Sequence, residues 1–126
     1  APQIQTSAPE LLADPWGKWV HERFNSGQEG RMEAFGSILE AGTSGINPMS
    51  SNDAARSIWI DFVEKAETYN EPGRFTAMTG FEWSSSPEGN NLHRVVIYRD
   101  GAANTSRTVP YSLFDGDDPE DLWKYM

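Results

Sequence analysis

The sequence predicts an α+β fold in which helices fill the first part of the chain and a β-hairpin and a short terminal helix follow. Apolar residues recur at steps of three and four as far as Tyr69, which is the period of an amphipathic helix. Aromatic and β-branched residues then dominate two short runs, and clusters of Gly, Pro, Asn and Ser separate the segments. We therefore expect a single unit, with helices over 1–72, a strand pair over 73–101, and a loop and helix over 102–126.

The N-terminal pattern indicates helical structure behind a small, polar and extended start over residues 1–8. From Pro9 to Phe24 the apolar residues share one helical face. Asp14 is a favoured N-cap and Pro15 suits the first helical position, so a new helix can begin at this point. The apolar face consists of Leu12, Trp16, Trp19, Val20 and Phe24.

A second helix is predicted over about 30–41, and a loop rich in Gly, Ser, Thr and Asn follows from Ala41 to Pro48. Four apolar residues at helical spacing mark this helix: Met32, Phe35, Ile38 and Leu39.

The third helix, over about 51–70, has the clearest pattern in the chain. Ser50 and Asp53 have the spacing of a capping box, and Pro72 with Gly73 stops the helix. We expect its apolar face, with Phe62 in it, to pack into the main core. That face consists of Ala55, Ile58, Trp59, Phe62, Val63, Ala66 and Tyr69.

Two strands are predicted after the third helix, over Arg74–Trp83 and Leu92–Arg99. The segment over 102–116 reads as irregular. A last helix opens at Asp118, which is a suitable N-cap, with Pro119 at the first helical position.

The composition excludes several classes of function. The net charge of −9 is repelled by phosphate backbones and by anionic membranes, so we expect neither nucleic acid nor a membrane as partner. The chain has no cysteine, so a metal site must use histidine, carboxylate and water as ligands.

The strongest functional signal is a glutamate at the end of the first strand and a histidine at the start of the second. Side chains alternate across a strand, so an antiparallel register that pairs Glu82 with His93 also pairs Gly80 with Val95 on the same face. Directly opposed side chains lie close enough to share a divalent metal ion. The alternative is a strand-end glutamate in water with a histidine hydrogen-bonded nearby, and the spacing leaves both open.

Several residues near this pair have other interpretations. Asn90, Asn91 and Arg94 flank the pair and are candidates to bind an anionic substrate, although Arg94 points to the opposite face of a regular strand. The serines at 84–86 have no partnered base at a recognisable spacing, so a Ser-His-Asp triad is not supported. His21 reads as a solvated helix residue.

Five segments together resemble the domain-of-unknown-function family 3604, and the resemblance covers nearly the whole chain. These segments are Pro9–Trp16, Tyr69–Ala77, Gly80–Trp83, Gly89–Gly101 and Asp118–Trp123. That family is similar to the PHP (polymerase and histidinol phosphatase) superfamily, whose members are distorted β/α barrels. The resemblance implies a site with two or three divalent metals, such as Zn, Mn or Fe, at the strand ends, and hydrolysis of phosphoesters.

Glu82 and His93 match the Glu-then-His element of the PHP ligand set, so the resemblance implies that both are metal ligands. The His-x-His, Asp-His and Asp-x-His elements of that set are absent from this sequence. We therefore expect the chain to be a fragment of a longer barrel, inactive in isolation and without a tightly bound metal. Its expected partners are the remainder of that barrel or a second copy joined through an exposed strand edge. The alternative function is a non-catalytic helical and hairpin interaction module with no metal role.

Overall fold

The computed structural model describes residues 7–126, so most of the extended start expected over 1–8 lies outside the described residues. The chain has an α+β fold with several helices and a two-stranded antiparallel hairpin. It divides into two compact units, one ending at Ile58 and one covering Trp59–Met126. None of the helices in the described part of the chain is long and apolar enough to cross a membrane.

Three helices both begin and end within the described part of the first unit, and the single helical pattern predicted at its start is broken at Asp14. Helix α1 covers Pro9–Ala13 and helix α2 covers Pro15–Asn25. Asp14 has an extended backbone, and its carboxylate accepts hydrogen bonds from the amides of Trp16 and Gly17, both at 3.0 Å. The predicted cap at Asp14 is therefore confirmed, because it satisfies amides that the first turn of a helix leaves unpaired.

Helix α3 covers Gln28–Ser44, so it continues past the point where the loop was expected. It ends at Gly45, whose φ of 67° is a left-handed conformation that glycine adopts without strain. All the buried residues of α3 are small, whereas the bulky residues that marked it in the sequence are mostly exposed. The buried residues are Gly30, Ala34 and Ala41, and the exposed ones are Met32, Phe35 and Leu39.

Helix α4 covers Asp53–Tyr69, and its buried positions are Ala54, Trp59 and Val63. The prediction that Phe62 lies in the core is wrong, because 44% of this residue is exposed and its ring stacks on Trp59 at the edge of the cluster. The capping-box pair is also wrong: the amide of Asp53 donates to Ser51 Oγ at 3.3 Å.

The other predicted cap partner, Ser50, binds elsewhere in the first unit. Its amide and its hydroxyl both donate to Asp14 Oδ2, at 2.8 and 2.6 Å. The carboxylate of Asp14 therefore joins the start of α2 to the loop before α4.

The two strands of the second unit are β1, Gly80–Ser85, and β2, Leu92–Ile97, which pair antiparallel. Strand β1 begins six residues later than predicted. An isolated bridge between Glu71 and Phe75 closes a turn at the predicted start, and regular pairing begins at Gly80. A 3₁₀ turn over Pro87–Gly89 connects the strands.

Two further helices follow the hairpin: α5, Ala102–Thr105, and α6, Pro119–Tyr125. The predicted cap of the last helix is confirmed, since Asp118 Oδ1 accepts from the amide of Glu120 at 2.8 Å.

Aromatic rings hold the second unit together behind one face of the hairpin. Phe81 contacts the rings of Trp59, Tyr98 and Tyr125, with centroids 6.2 to 6.4 Å apart. Trp59 Nε1 also donates to the carbonyl of Thr105 at 3.0 Å. The packing of this face leaves the opposite face of the hairpin exposed.

Two tyrosines close the aromatic cluster with a hydrogen-bond chain. The hydroxyl of Tyr125 donates to the carbonyl of Val109 at 2.8 Å, so the hydroxyl of Tyr98, 3.1 Å away, donates to Tyr125. Burial and this hydrogen bond raise the pKa of Tyr98 to about 12.

Candidate metal site on the hairpin

The exposed face of the hairpin carries Glu82 and Ser84 from β1 and His93 and Val95 from β2. Trp83 and Ser85 lie on the other face of β1 and are buried. Strand alternation thus produces the arrangement: the residues between the buried ones must face outward.

The predicted register of the hairpin is wrong by two residues. Ser84 lies opposite His93, and Glu82 lies opposite Val95. The ladder extends as far as Ser85, which is buried on the same face as Trp83. Because the shift is an even number of residues, Glu82 and His93 still share a face, as predicted.

Glu82 and His93 are in direct contact. His93 Nδ1 lies 2.9 Å from Glu82 Oε1, and 49% of the histidine side chain and 59% of the glutamate side chain are exposed. This contact confirms that the two side chains are close on one face, and it is equally compatible with a bound cation and with a hydrogen-bonded pair in water.

Ser84 is the residue of this cluster that the sequence analysis missed. Its Oγ lies 2.8 Å from the same nitrogen, His93 Nδ1. The signal was available in the i, i+2 spacing of Glu82 and Ser84, which places both on the histidine's face. The arrangement is not a catalytic triad, because a triad engages its serine and its carboxylate through different ring nitrogens.

The three candidate substrate-binding residues lie around the cluster rather than in it. Arg94 pairs with Trp83 in the ladder, which places it on the opposite strand face from His93, and its guanidinium donates to the His93 carbonyl at 2.8 Å. Asn90 and Asn91 are exposed in the connecting loop, where the side-chain amide of Asn90 donates to the Pro87 carbonyl at 3.2 Å.

The loop that leads to the cluster contains a strained residue. Glu88 has φ of 52° and ψ of 27°, and it is the one non-glycine residue with positive φ in the described range. Such a conformation is uncommon for a residue with a side chain and is found in tight turns. It closes the 3₁₀ turn between the two strands.

The second histidine of the chain belongs to a different environment. His21 lies on α2, where the side-chain amide of Asn25 donates to its backbone carbonyl at 2.8 Å. Across residues 7–126, no three His, Cys, Asp or Glu side chains are grouped so that they can hold a metal ion. Glu82 and His93 are thus short of the three or four protein ligands that zinc sites use.

Comparison with known proteins gives one match. A family model described as "Protein of unknown function (DUF3604)" matches residues 1–126. Neither the curated proteins nor the solved structures contain a match. Because the family model covers the entire sequence, this chain belongs to the DUF3604 family.

Proposed function

We propose that this chain is part of a metal-dependent hydrolase of the phosphoesterase type, to which it contributes Glu82 and His93 as metal ligands. The observation that carries the proposal is the contact of 2.9 Å between His93 Nδ1 and Glu82 Oε1 on the exposed face of the hairpin. The resemblance of these residues to the Glu-then-His element of PHP proteins supports it. In this proposal the hairpin is one strand of a PHP-like barrel with its return strand, and the preceding helices are an insertion.

The distance between the two donor atoms suits a shared cation. Ligands bound at right angles to one ion, with bonds of about 2.1 Å, lie about 3.0 Å apart. The carboxylate also gives this exposed face a negative charge, which attracts a dication. A divalent metal bound here, such as Zn, Mn or Fe, would lower the pKa of a bound water and neutralise charge on a phosphoester.

The remaining residues of the site have supporting roles. Ser84 Oγ and Glu82 Oε1, both on β1, contact Nδ1 of His93 and orient its ring. The exposed amides of Asn90 and Asn91 can donate to the oxygens of an anionic substrate. Arg94 lies on the opposite strand face, so its role in this proposal is limited to the backbone contact with His93.

Two ligands do not hold a metal ion alone, so in this proposal further ligands come from another protein segment. The exposed surface beside Glu82 and His93 is suited to contact such a segment. Val95 and Ile97 lie two residues apart on the exposed face of β2, and each is more than half exposed, as apolar residues at a contact surface are. In the ladder formed by the described residues, the outer edges of both strands are unpaired. The rest of the barrel, or a second copy paired along one edge, would cover this surface and complete the site.

The test is hydrolysis of a phosphomonoester and a phosphodiester by the full-length protein that carries this sequence, with and without Mn²⁺ or Zn²⁺. We expect metal-dependent turnover that falls by more than about 100-fold in Glu82→Gln and in His93→Ala. Mutation of residues that only hydrogen-bond to metal ligands already lowers activity or metal affinity roughly 10–100-fold, and loss of a ligand itself should lower it more. His21→Ala is the matched control and should retain activity. Metal-dependent turnover that survives both hairpin substitutions would refute the assigned ligands.

The second candidate is a non-catalytic interaction module that docks through the same exposed face. The exposure of Val95 and Ile97 on that face favours it, since apolar surface of this kind marks protein contacts. Metal titration of the full-length protein separates the two functions. Equal metal binding by wild type, Glu82→Gln and His93→Ala would leave the interaction module as the better account.

A further inference from the structure

We infer that Ser84 is a third protein donor of this site and that its hydroxyl adapts the site to a hard, octahedral dication such as Mn²⁺ or Mg²⁺. The inference rests on the proposed function, because it assumes that Glu82 and His93 bind a cation. It goes further by adding a ligand and a class of metal.

One ring nitrogen of His93, Nδ1, has two neighbouring oxygen atoms but can make only one strong hydrogen bond. Nδ1 of His93 has either one hydrogen or one lone pair in the ring plane. Glu82 Oε1 at 2.9 Å and Ser84 Oγ at 2.8 Å both lie within hydrogen-bonding distance of it. A carboxylate only accepts, so it needs the hydrogen, and then the serine can share that hydrogen only in a weaker, three-centre bond.

A cation between these atoms would use all three donors at once. The nitrogen lone pair, a carboxylate oxygen and a hydroxyl oxygen would each point at the ion instead of competing for one hydrogen. Ser84 is directly opposite His93 in the ladder, and Glu82 lies two residues before Ser84 on β1. The backbone therefore holds the three side chains on one face without further adjustment.

The types of donor atom indicate the class of metal. A hydroxyl and a carboxylate are hard ligands, which suit Mg²⁺ and Mn²⁺ better than they suit zinc. Such ions favour octahedral coordination and keep several waters, so three protein donors leave room for water at the other positions.

The test measures metal affinity, not activity, in the 126-residue chain. Mn²⁺ binding is followed by the electron paramagnetic resonance signal of the free ion, and Zn²⁺ binding by calorimetry. Three donors predict weak binding, with a Kd on the order of millimolar. The variants are Ser84→Ala, Ser84→Cys, Glu82→Gln and His93→Ala. Ser86→Ala, in the exposed loop just after β1, is the matched control.

We expect Ser84→Ala to weaken Mn²⁺ binding about fivefold, the equivalent of one net polar contact, and Ser86→Ala to leave it unchanged. Ser84→Cys should weaken Mn²⁺ binding and strengthen Zn²⁺ binding, because a thiolate is a soft ligand. The wild-type chain has no cysteine, so this thiol would be the only one present.

The outcomes separate this inference from the proposed function. If Glu82→Gln and His93→Ala lose Mn²⁺ while both serine-to-alanine variants match wild type, Ser84 is not a ligand and the proposed function stands. If wild type binds no Mn²⁺, or binds it equally well without Glu82 and His93, the third-donor assignment is overturned together with the metal site of this chain. Ser84 is exposed, so its variants should fold, and thermal melts check this.

Discussion

At the scale of single residues, Asp14 shows how one side chain fixes a helix boundary. It is 6% exposed, and its carboxylate accepts four hydrogen bonds, from the amides of Trp16, Gly17 and Ser50 and from the Ser50 hydroxyl. The hydroxyl of Ser50 is the main cause that lowers the pKa of Asp14 from 3.8 to about 2, followed by the amide bonds. The folded state therefore prefers the ionised carboxylate more strongly than the unfolded chain does.

This preference predicts a specific dependence of stability on pH. A lowered pKa gives stability that is present above pH 4 and is lost as the pH falls from about 4 to about 2. Asp14→Asn should unfold at lower urea concentration than wild type at pH 7 and should lose less stability across that pH window. Asp117→Asn, at an exposed position, is the control and should follow the wild-type curve. Parallel pH curves for wild type and Asp14→Asn would contradict this account.

The side chains of the hairpin show how much of the candidate site the sequence can predict. The alternation of a strand was enough to place Glu82 and His93 on one face, because parity survives any even shift in register. It was not enough to find Ser84 as their neighbour. In the observed register Ser84 lies opposite His93 and Ser85 is buried, and strand alternation alone does not distinguish this register from one shifted by two residues.

At the scale of elements, α4 supplies both a correctly predicted helix and a wrong assignment of its core. Trp59 and Val63 are buried as expected, but Phe62 stands at the margin of the aromatic cluster. A helical period identifies the apolar face, yet it does not say how wide a stripe the neighbouring elements cover. In α3 the helical period predicts the buried residues less well still, because Gly30 and Ala34 are buried while the bulkier Met32 and Phe35 are exposed.

The unequal burial along α4 predicts unequal losses of stability. Trp59→Ala should cost about 3–5 kcal/mol, because it removes the ring of a residue that is only 5% exposed, along with the hydrogen bond to Thr105. Phe62→Ala should cost less than half as much, since 44% of Phe62 is already exposed to water. Tyr69→Ala, at an exposed position near the helix end, should change the free energy of unfolding by less than about 0.5 kcal/mol. Urea denaturation gives all three values, and equal losses for Trp59 and Phe62 would contradict the packing described here.

At the scale of the whole molecule, the sequence predicted the α+β class, the order of helices and hairpin, and the DUF3604 family. Period changes and capping residues report on local structure, so the class and most elements followed from them. The division at Ile58 did not follow, because α4 continues across it without any break in the pattern. A full set of ligands for the proposed metal site did not follow either, since a two-stranded hairpin brings together only the ligands that its own strands carry, and residues 7–126 contain no group of three His, Cys, Asp or Glu side chains that could hold a metal.

The central claim is that Glu82 and His93 bind a divalent cation, and paramagnetic broadening by Mn²⁺ tests it most directly because the method detects weak binding at individual residues. Small amounts of Mn²⁺ are added to the isotope-labelled chain, and the amide signals are followed one by one. The account predicts that the signals of Glu82, Ser84 and His93 broaden first, and that Glu82→Gln removes this preference. Broadening that is as strong at His21 or at the acidic residues Asp115–Asp118, or that persists unchanged in Glu82→Gln, would contradict the claim.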